Sequence, residues 1–378
     1  MTIEAIEPDD PRLRLPAFYN IYPLPNEVHS TGDRDGPDYA PNTFMDRMYG
    51  RVFTPSRVIR HAVYGRTDKM NYYTRFDGLR IVDELRVPYR RIPIFEVEDL
   101  STISTAVRQL VGANQSHTLL LRGQGKTYML ERDAAESELL YGETVNEPSF
   151  LPSFLRANFD ELTLQSIWHN QAAILLNNIG FVYQSILPES QLRDYWNDVT
   201  ALRRTTDCDG FALGIAQHYG LPSVGLDLTD ELNVAAWFAL YSMSIDGDGR
   251  ATCDVVLEDS RPTVFVFRCP YDAVFDYKCV RPKQFPHGRP DRQSAWFAHV
   301  GWGAAENQMG SYLMCGFRLK ASMADQLPTD YSMHLFPRTE DDLILQYFRA
   351  MKAQQKYEGE AKRALQRIYH FEWPHRHA

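Results

Sequence analysis

Residues 216–239, AQHYGLPSVGLDLTDELNVAAWFA, constrain the fold more than any other stretch of the chain. Gly220 suits the left-handed position that closes a helix, and Pro222 forbids the helix from continuing. Residues 223–228 suit a short buried strand, and Thr229 or Asp230 is a good N-cap for a following helix. That helix carries Leu232, Ala235, Ala236, Phe238 and Ala239, an apolar face whose small residues permit close packing. Asp227 is thereby expected where a strand ends and a helix begins. The free N–H groups of a helix N-terminus make such places natural anion and ligand sites.

The chain has 378 residues, enough for one large domain or two ordinary ones, and 44% apolar content supports a sizeable core. A net charge of −9 argues against general nucleic-acid affinity. The charge is uneven: residues 1–50 hold 4 basic and 9 acidic side chains, and residues 51–91 hold 10 basic and 4 acidic. A basic patch for nucleic acid within 51–91 competes there with the commoner reading, solvated surface and intramolecular ion pairs. Five cysteines (Cys208, Cys253, Cys269, Cys279, Cys315) without a CxxC suggest neither a disulfide framework nor a zinc site, and no metal is expected. The start, MTIEAIEPDD, lacks the apolar region of a signal peptide. The most apolar window, residues 172–187, is interrupted by Asn177, Asn178, Tyr183 and Gln184 and is too short to span a bilayer. These features predict a soluble, cytoplasmic protein with no membrane partner.

Three regions are expected. Residues 1–94 form an N-terminal arm and extension. Within it residues 1–50 are rich in Pro, Asp and Gly, and Phe18 with its neighbouring tyrosines favours docking on the body. Val58, Ile59, Val63, Ile81, Val82 and Leu85 suggest short helices or strands. The main domain, 95–340, opens with a strand at 92–97 and a helix at 99–111, where Leu100, Ile103, Val107 and Leu110 recur at helical spacing. A strand at 118–121 runs into Arg122, an acidic excursion occupies 131–147, and helices follow at 162–178, 189–200 and 211–219. Strands return at 263–269, 294–300 and 311–319. This pattern is α+β: a helix-rich first half and a strand-rich second half around a mixed or antiparallel sheet. Residues 341–378 carry a long amphipathic helix (Leu343, Leu345, Phe348, Met351, Tyr357, Ala361, Leu365, Ile368). It is suited to packing on the body or on a second subunit.

Arg122 ends an apolar strand, and Gly123 and Gly125 let a ligand or another backbone approach. Its guanidinium suits a phosphate or carboxylate ligand, or a structural pairing with a buried carboxylate such as Asp227. His218 closes a helix, where a histidine is favoured by the dipole and placed for proton transfer. Gln293, beside Arg289 and Arg292, suits a base or amide, or a neighbouring strand's backbone. Glu306 is a candidate general base. No P-loop, GxGxxG, HExxH or GxSxG pattern occurs, so the reactions those motifs serve lose support.

With LLLRGQG at 119–125, SFLPSFLR at 149–156 and RPKQFPHGRPDRQSAWF at 281–297, the segment at 216–239 completes four motifs in order. Together they resemble the FRG-domain family over roughly residues 95–340. Leu121 stands where that family usually has an aromatic residue, and Ala295 where it usually has glycine. The arrangement of strands and polar residues has a weaker resemblance to the NAD-binding core of ADP-ribosyltransferases. That resemblance implies a nucleotide-handling pocket built from Arg122, His218, Asp227 and Gln293. Arg122 would hold the pyrophosphate or ribose of NAD, Tyr219 would stack on nicotinamide, and Gln124, Arg289 and Arg292 would add cofactor contacts. Asp227 or Gln293 would support the developing positive charge on ribose. Gln293 stands where those enzymes often carry a catalytic glutamate. The alternative is a non-catalytic module for a nucleotide, nucleic acid or protein partner, in a bacterial phage-defence or toxin–antitoxin setting.

Overall fold

The run TVFVFRC is apolar on both sides of the chain, as a strand covered on both faces requires. In the computed structural model it is β9 (Thr263–Cys269), with all seven residues buried. Val264 and Val266 join the core on one face of the sheet; Phe265, Phe267 and Cys269 join the core on the other. Residues 44–49, 51–53, 64–65, 72, 74–156, 159–299, 305–354 and 356–373 are described. Residues 1–43 of the expected arm, with Phe18, and the apolar positions Val58, Ile59 and Val63 lie outside them.

The remaining strands are β1 (Phe44–Asp46), β2 (Arg51–Phe53), β3 (Ile81–Val87), β4 (Arg90–Glu96), β5 (Thr118–Gln124), β6 (Gly225–Thr229), β7 (Tyr241–Ile245), β8 (Arg250–Val255), β10 (Val274–Asp276), β11 (Ala295–His299), β12 (Leu313–Arg318) and β13 (His370–Phe371). Eight form one mixed sheet in the order β10-β11-β6-β5-β9-β12-β4-β3, antiparallel except for the β12–β4 pair. The principal helices are α1 (Leu100–Ala113), α2 (Ala134–Tyr141), α3 (Glu161–Tyr183), α4 (Glu189–Leu202), α5 (Asp207–His218), α6 (Leu232–Leu240), α7 (Leu343–Ala353) and α8 (Gly359–Leu365). Helices α1 and α6 cover one sheet face. Helices α3, α4, α5, α7 and α8 share a second core, which reaches the sheet at Ala295 and Phe297 of β11. The fold is α+β. Among the described residues no helix is long and apolar enough to cross a membrane.

Several expectations need correction. Strand β3, within the stretch expected to be an extension, pairs with β4 and forms the edge of the main sheet. Hairpin β7–β8 follows α6 directly, in a stretch for which the sequence suggested no element. The segment 131–147 is not an exposed excursion. Leu140 and Tyr141 of α2 are buried, and Arg132 binds Asp46, Glu136 and Glu147 from within. The terminal helix is two helices. Helix α7 ends at Gln354 in extended backbone, and Gly359, with φ of 56°, begins α8. Ile344, Leu345, Phe348, Met351, Ala364 and Leu365 are buried against the body, so this face is not left for a second subunit.

Among the described residues of the basic segment, four arginines are spent internally. Arg86 and Arg90 are buried and donate to main-chain carbonyls, Arg86 to those of Val87, Arg90 and Gly65, and Arg90 to those of Ser311 and Leu313. Arg80 and Arg91 pair with Glu96 and Glu84. The described part of this segment therefore follows the intramolecular reading.

One position governs how α6 reaches the sheet. Gly123 lies inside β5, and a Cβ there would stand 1.8 Å from the carbonyl oxygen of Ala235. The glycine admits another backbone rather than a turn or ligand. Gly123→Ala is expected to cost about 3 kcal/mol or more, because neither backbone can yield. Gly112→Ala, in open space on α1, should stabilise by about 0.5–1 kcal/mol. Denaturant unfolding of the two variants checks the contrast.

Candidate functional site

Strand β5 pairs with β9 along its whole length, from Thr118–Cys269 to Gln124–Thr263. With β6 on its other side it keeps one registered pair, Leu121–Thr229. The two strands splay, and a cavity of about 150 Å³ occupies the gap. Leu121, Leu228, Val234, Ala235 and Phe238 supply its apolar wall; Arg122, His218, Asp227, Thr229 and Gln293 supply its polar groups. All four residues expected to form a shared pocket therefore line one space.

Arg122 lies within β5, not at its end, and bridges the splay: Nη1 donates to the main-chain oxygen of Asp227 at 2.5 Å. The arginine therefore holds the backbone of Asp227, not its carboxylate. Burial lowers the guanidinium pKa to about 10; Asp227 opposes the shift and the charge of Arg156 adds to it. At neutral pH the group keeps its proton. Asp227 sits at the middle of β6, with its side chain about a third exposed. It is not at a helix N-terminus: Glu231 is the N-cap of α6, without a side-chain cap. Thr229 accepts the N–H of Glu231 and donates to the carbonyl of Gln293, closing the wall of the cavity.

His218 is the last residue of α5 and is buried, because Gly220, at φ 88°, turns the chain sharply behind it. Its Nδ1 lies 2.8 Å from Oε1 of Gln293. Gln293 donates Nε2 to the carbonyl of Leu335 at 3.2 Å, which fixes the orientation of the amide. Oε1 is thus the acceptor, and the hydrogen-bond network assigns a proton to His218 Nδ1. The other nitrogen, Nε2, faces Oδ1 of Asp227 at 3.5 Å. Both amide ends of Gln293 are engaged, so this residue orients His218 instead of meeting a ligand.

Three buried polar atoms around this cavity have no hydrogen-bond partner: Nε of Arg122, Nε2 of His218 and Oδ1 of Asp227. Buried polar atoms are nearly always satisfied, and each exception calls for a reason. All three belong to side chains of residues that line the cavity, and two of them, Nε2 of His218 and Oδ1 of Asp227, face each other at 3.5 Å.

The other expected contacts lie elsewhere. Tyr219 is fully buried and donates its hydroxyl hydrogen bond to Asp342, at 2.8 Å from both carboxylate oxygens. It cannot stack on a ligand in the cavity. Arg289 is equally buried, its guanidinium 4.8 Å from the Tyr219 ring centre and 4.7 Å from that of Tyr369. It donates to the carbonyls of His218 and Tyr369 and lies 3.9 Å from Asp342. Burial raises the Asp342 carboxyl pKa, with Arg289 opposing. Gln124 is buried opposite Thr263 and is not part of the lining. Arg292 borders an open groove next to the cavity. Glu306 lies beside Arg47, whose carbonyl accepts its N–H, away from the cavity. The sequence did not reveal Val234 and Phe238 as lining residues, because on an apolar helix they read as ordinary core.

Residues 143–246 match the family model described as the FRG domain, and the chain carries an FRG domain. The matched stretch includes His218 and Asp227; Arg122 and Gln293 lie outside it. No curated protein and no solved structure matches the chain.

Behind the site, Asp342 and Arg289 stand as a buried pair that anchors the carbonyl of His218. Asp342→Ala would leave the guanidinium uncompensated and is expected to cost about 3–5 kcal/mol. Asp342→Ala together with Arg289→Met should recover part of that loss. Urea unfolding of the single and double variants measures both.

Proposed function

We propose that the FRG domain handles a nucleotide, and that its chemistry is cleavage of the nicotinamide–ribose bond of NAD with transfer of the ADP-ribosyl group to an acceptor or to water. The observation that carries this reading is the gathering of Arg122, His218 and Asp227 around one cavity, each with a polar atom that makes no hydrogen bond. A cavity of about 150 Å³ is room for a single six-membered ring, not for a dinucleotide. Its wall of Leu121, Leu228, Val234 and Phe238 suits a flat, weakly polar ring such as nicotinamide. A diphosphate would be poorly placed in so apolar a space, which moves Arg122 from the pyrophosphate role to the ring end.

The roles follow from the free atoms. Arg122 Nε–H donates to an acceptor on the ring end. Asp227 Oδ1 opposes the positive charge that develops on the ribose as the glycosidic bond breaks and its electron pair departs with nicotinamide. His218 Nε2, its partner nitrogen already holding a proton, takes the proton of the hydroxyl that bonds to the ribose carbon. Gln293 is a positioning residue here, not the counterpart of a catalytic glutamate.

The reading with binding but no turnover predicts a different experiment. Wild type and Asp227→Asn are incubated with NAD, and released nicotinamide is followed by chromatography alongside the thermal midpoint. Asp227 Oδ1 accepts no hydrogen bond and only faces His218 Nε2 at 3.5 Å, so the variant should fold normally. The transferase reading expects release by wild type and a loss of about 100-fold or more in the variant. A raised midpoint without release would leave a nucleotide-binding module. Equal release by both proteins would remove Asp227 from the chemistry.

A further inference from the structure

Beyond Val234 the inner cavity meets an open groove of about 370 Å³. Val234 lines both spaces, and the consecutive residues Gln293 and Arg292 border one each. We infer that this groove receives the adenosine-diphosphate end of a dinucleotide whose ring end occupies the inner cavity. The inference rests on the reading of that cavity given above.

The groove offers each part of such a ligand a matching surface. Arg292 makes one long bond, from Nη1 to the carbonyl of His334 at 3.4 Å, and its buried Nε has no partner. Most of its donor capacity remains for an anion, and a guanidinium binds phosphate oxygens in pairs. Asp291, which would repel that anion, is already neutralised: it accepts from Nε of Arg281 at 2.7 Å and from the N–H of Gly288. His287 projects into solvent 3.4 Å from the same carboxylate and supplies a second nitrogen donor. Tyr331 and His334 stack at 5.6 Å with their planes 19° apart, a flat ledge on which a purine can lie. Glu231 adds a carboxylate for the ribose hydroxyls.

Calorimetric titration with ADP, which lacks the ring end, tests the groove alone in the full-length protein. ADP is expected to bind wild type, to lose about tenfold or more in affinity with Arg292→Ala and with Tyr331→Ala, and to stay within about twofold with Gly112→Ala, outside the groove lining. Arg292→Lys keeps the charge but not the paired donors and should fall between wild type and Arg292→Ala. Unchanged thermal midpoints keep a folding defect out of the comparison. No ADP binding by wild type, or equal binding by wild type, Arg292→Ala and Tyr331→Ala, would overturn the inference. Nicotinamide release indifferent to Arg292 and Tyr331 would overturn it too while leaving the cavity's chemistry intact. Groove-dependent ADP binding without nicotinamide release supports the groove and sinks the transferase reading.

Discussion

A single guanidinium bridges the sheet where the β5–β6 ladder is thinnest. The ladder there has one registered pair, and Arg122 spans the rest of the gap to the carbonyl of Asp227. Gly123 lets the backbone of α6 approach β5 closely, and Val234 and Phe238 of the same helix line the cavity between the strands. The same contact that shapes the cavity therefore also places the arginine at its edge. Nη1 is spent on the backbone while Nε makes no hydrogen bond, in a side chain that lines the cavity.

The cavity's other two groups are held from behind. Gln293 fixes the His218 ring through its amide, and Leu335 fixes Gln293. Arg289 fixes the His218 carbonyl and is itself enclosed by Tyr219, Tyr369 and Asp342. Such a buried polar set costs desolvation energy and stabilises only while every member keeps its partners. Here it ties α5 to the C-terminal segment, through Tyr369 and the start of α7. The C-terminal helices thereby reach the site without touching the cavity.

The sequence made the local elements legible where periodicity and punctuation agreed. Helix α1 with its Asp99 cap, β9 and the Gly220 stop all stand as their residues suggest. Arg122, His218, Asp227 and Gln293 line one cavity, and their grouping was implied by the family resemblance rather than by any local pattern. Side-chain roles were not. Tyr219, Arg289 and Gln293 look identical in a sequence whether they face a ligand or a buried partner, and only the positions of Asp342, Tyr369 and Leu335 decide. Asp342 lies more than a hundred residues away from Tyr219, beyond the reach of any local pattern. The split of the terminal helix at Gln354 to Gly359 was hidden for a different reason, since apolar residues on both sides keep nearly the same period.

The central claim is that His218 presents a free Nε2 to a ligand while Nδ1 stays bound to Gln293. Nitrogen-15 spectra of the histidine-labelled protein, with His218 assigned from a His218→Gln spectrum, read the two ring nitrogens separately. On addition of NAD the account predicts a shift at Nε2, with Nδ1 remaining in the protonated range throughout. If neither nitrogen moves at saturating NAD, or if Nε2 carries the proton and Nδ1 does not, the account of this site is contradicted.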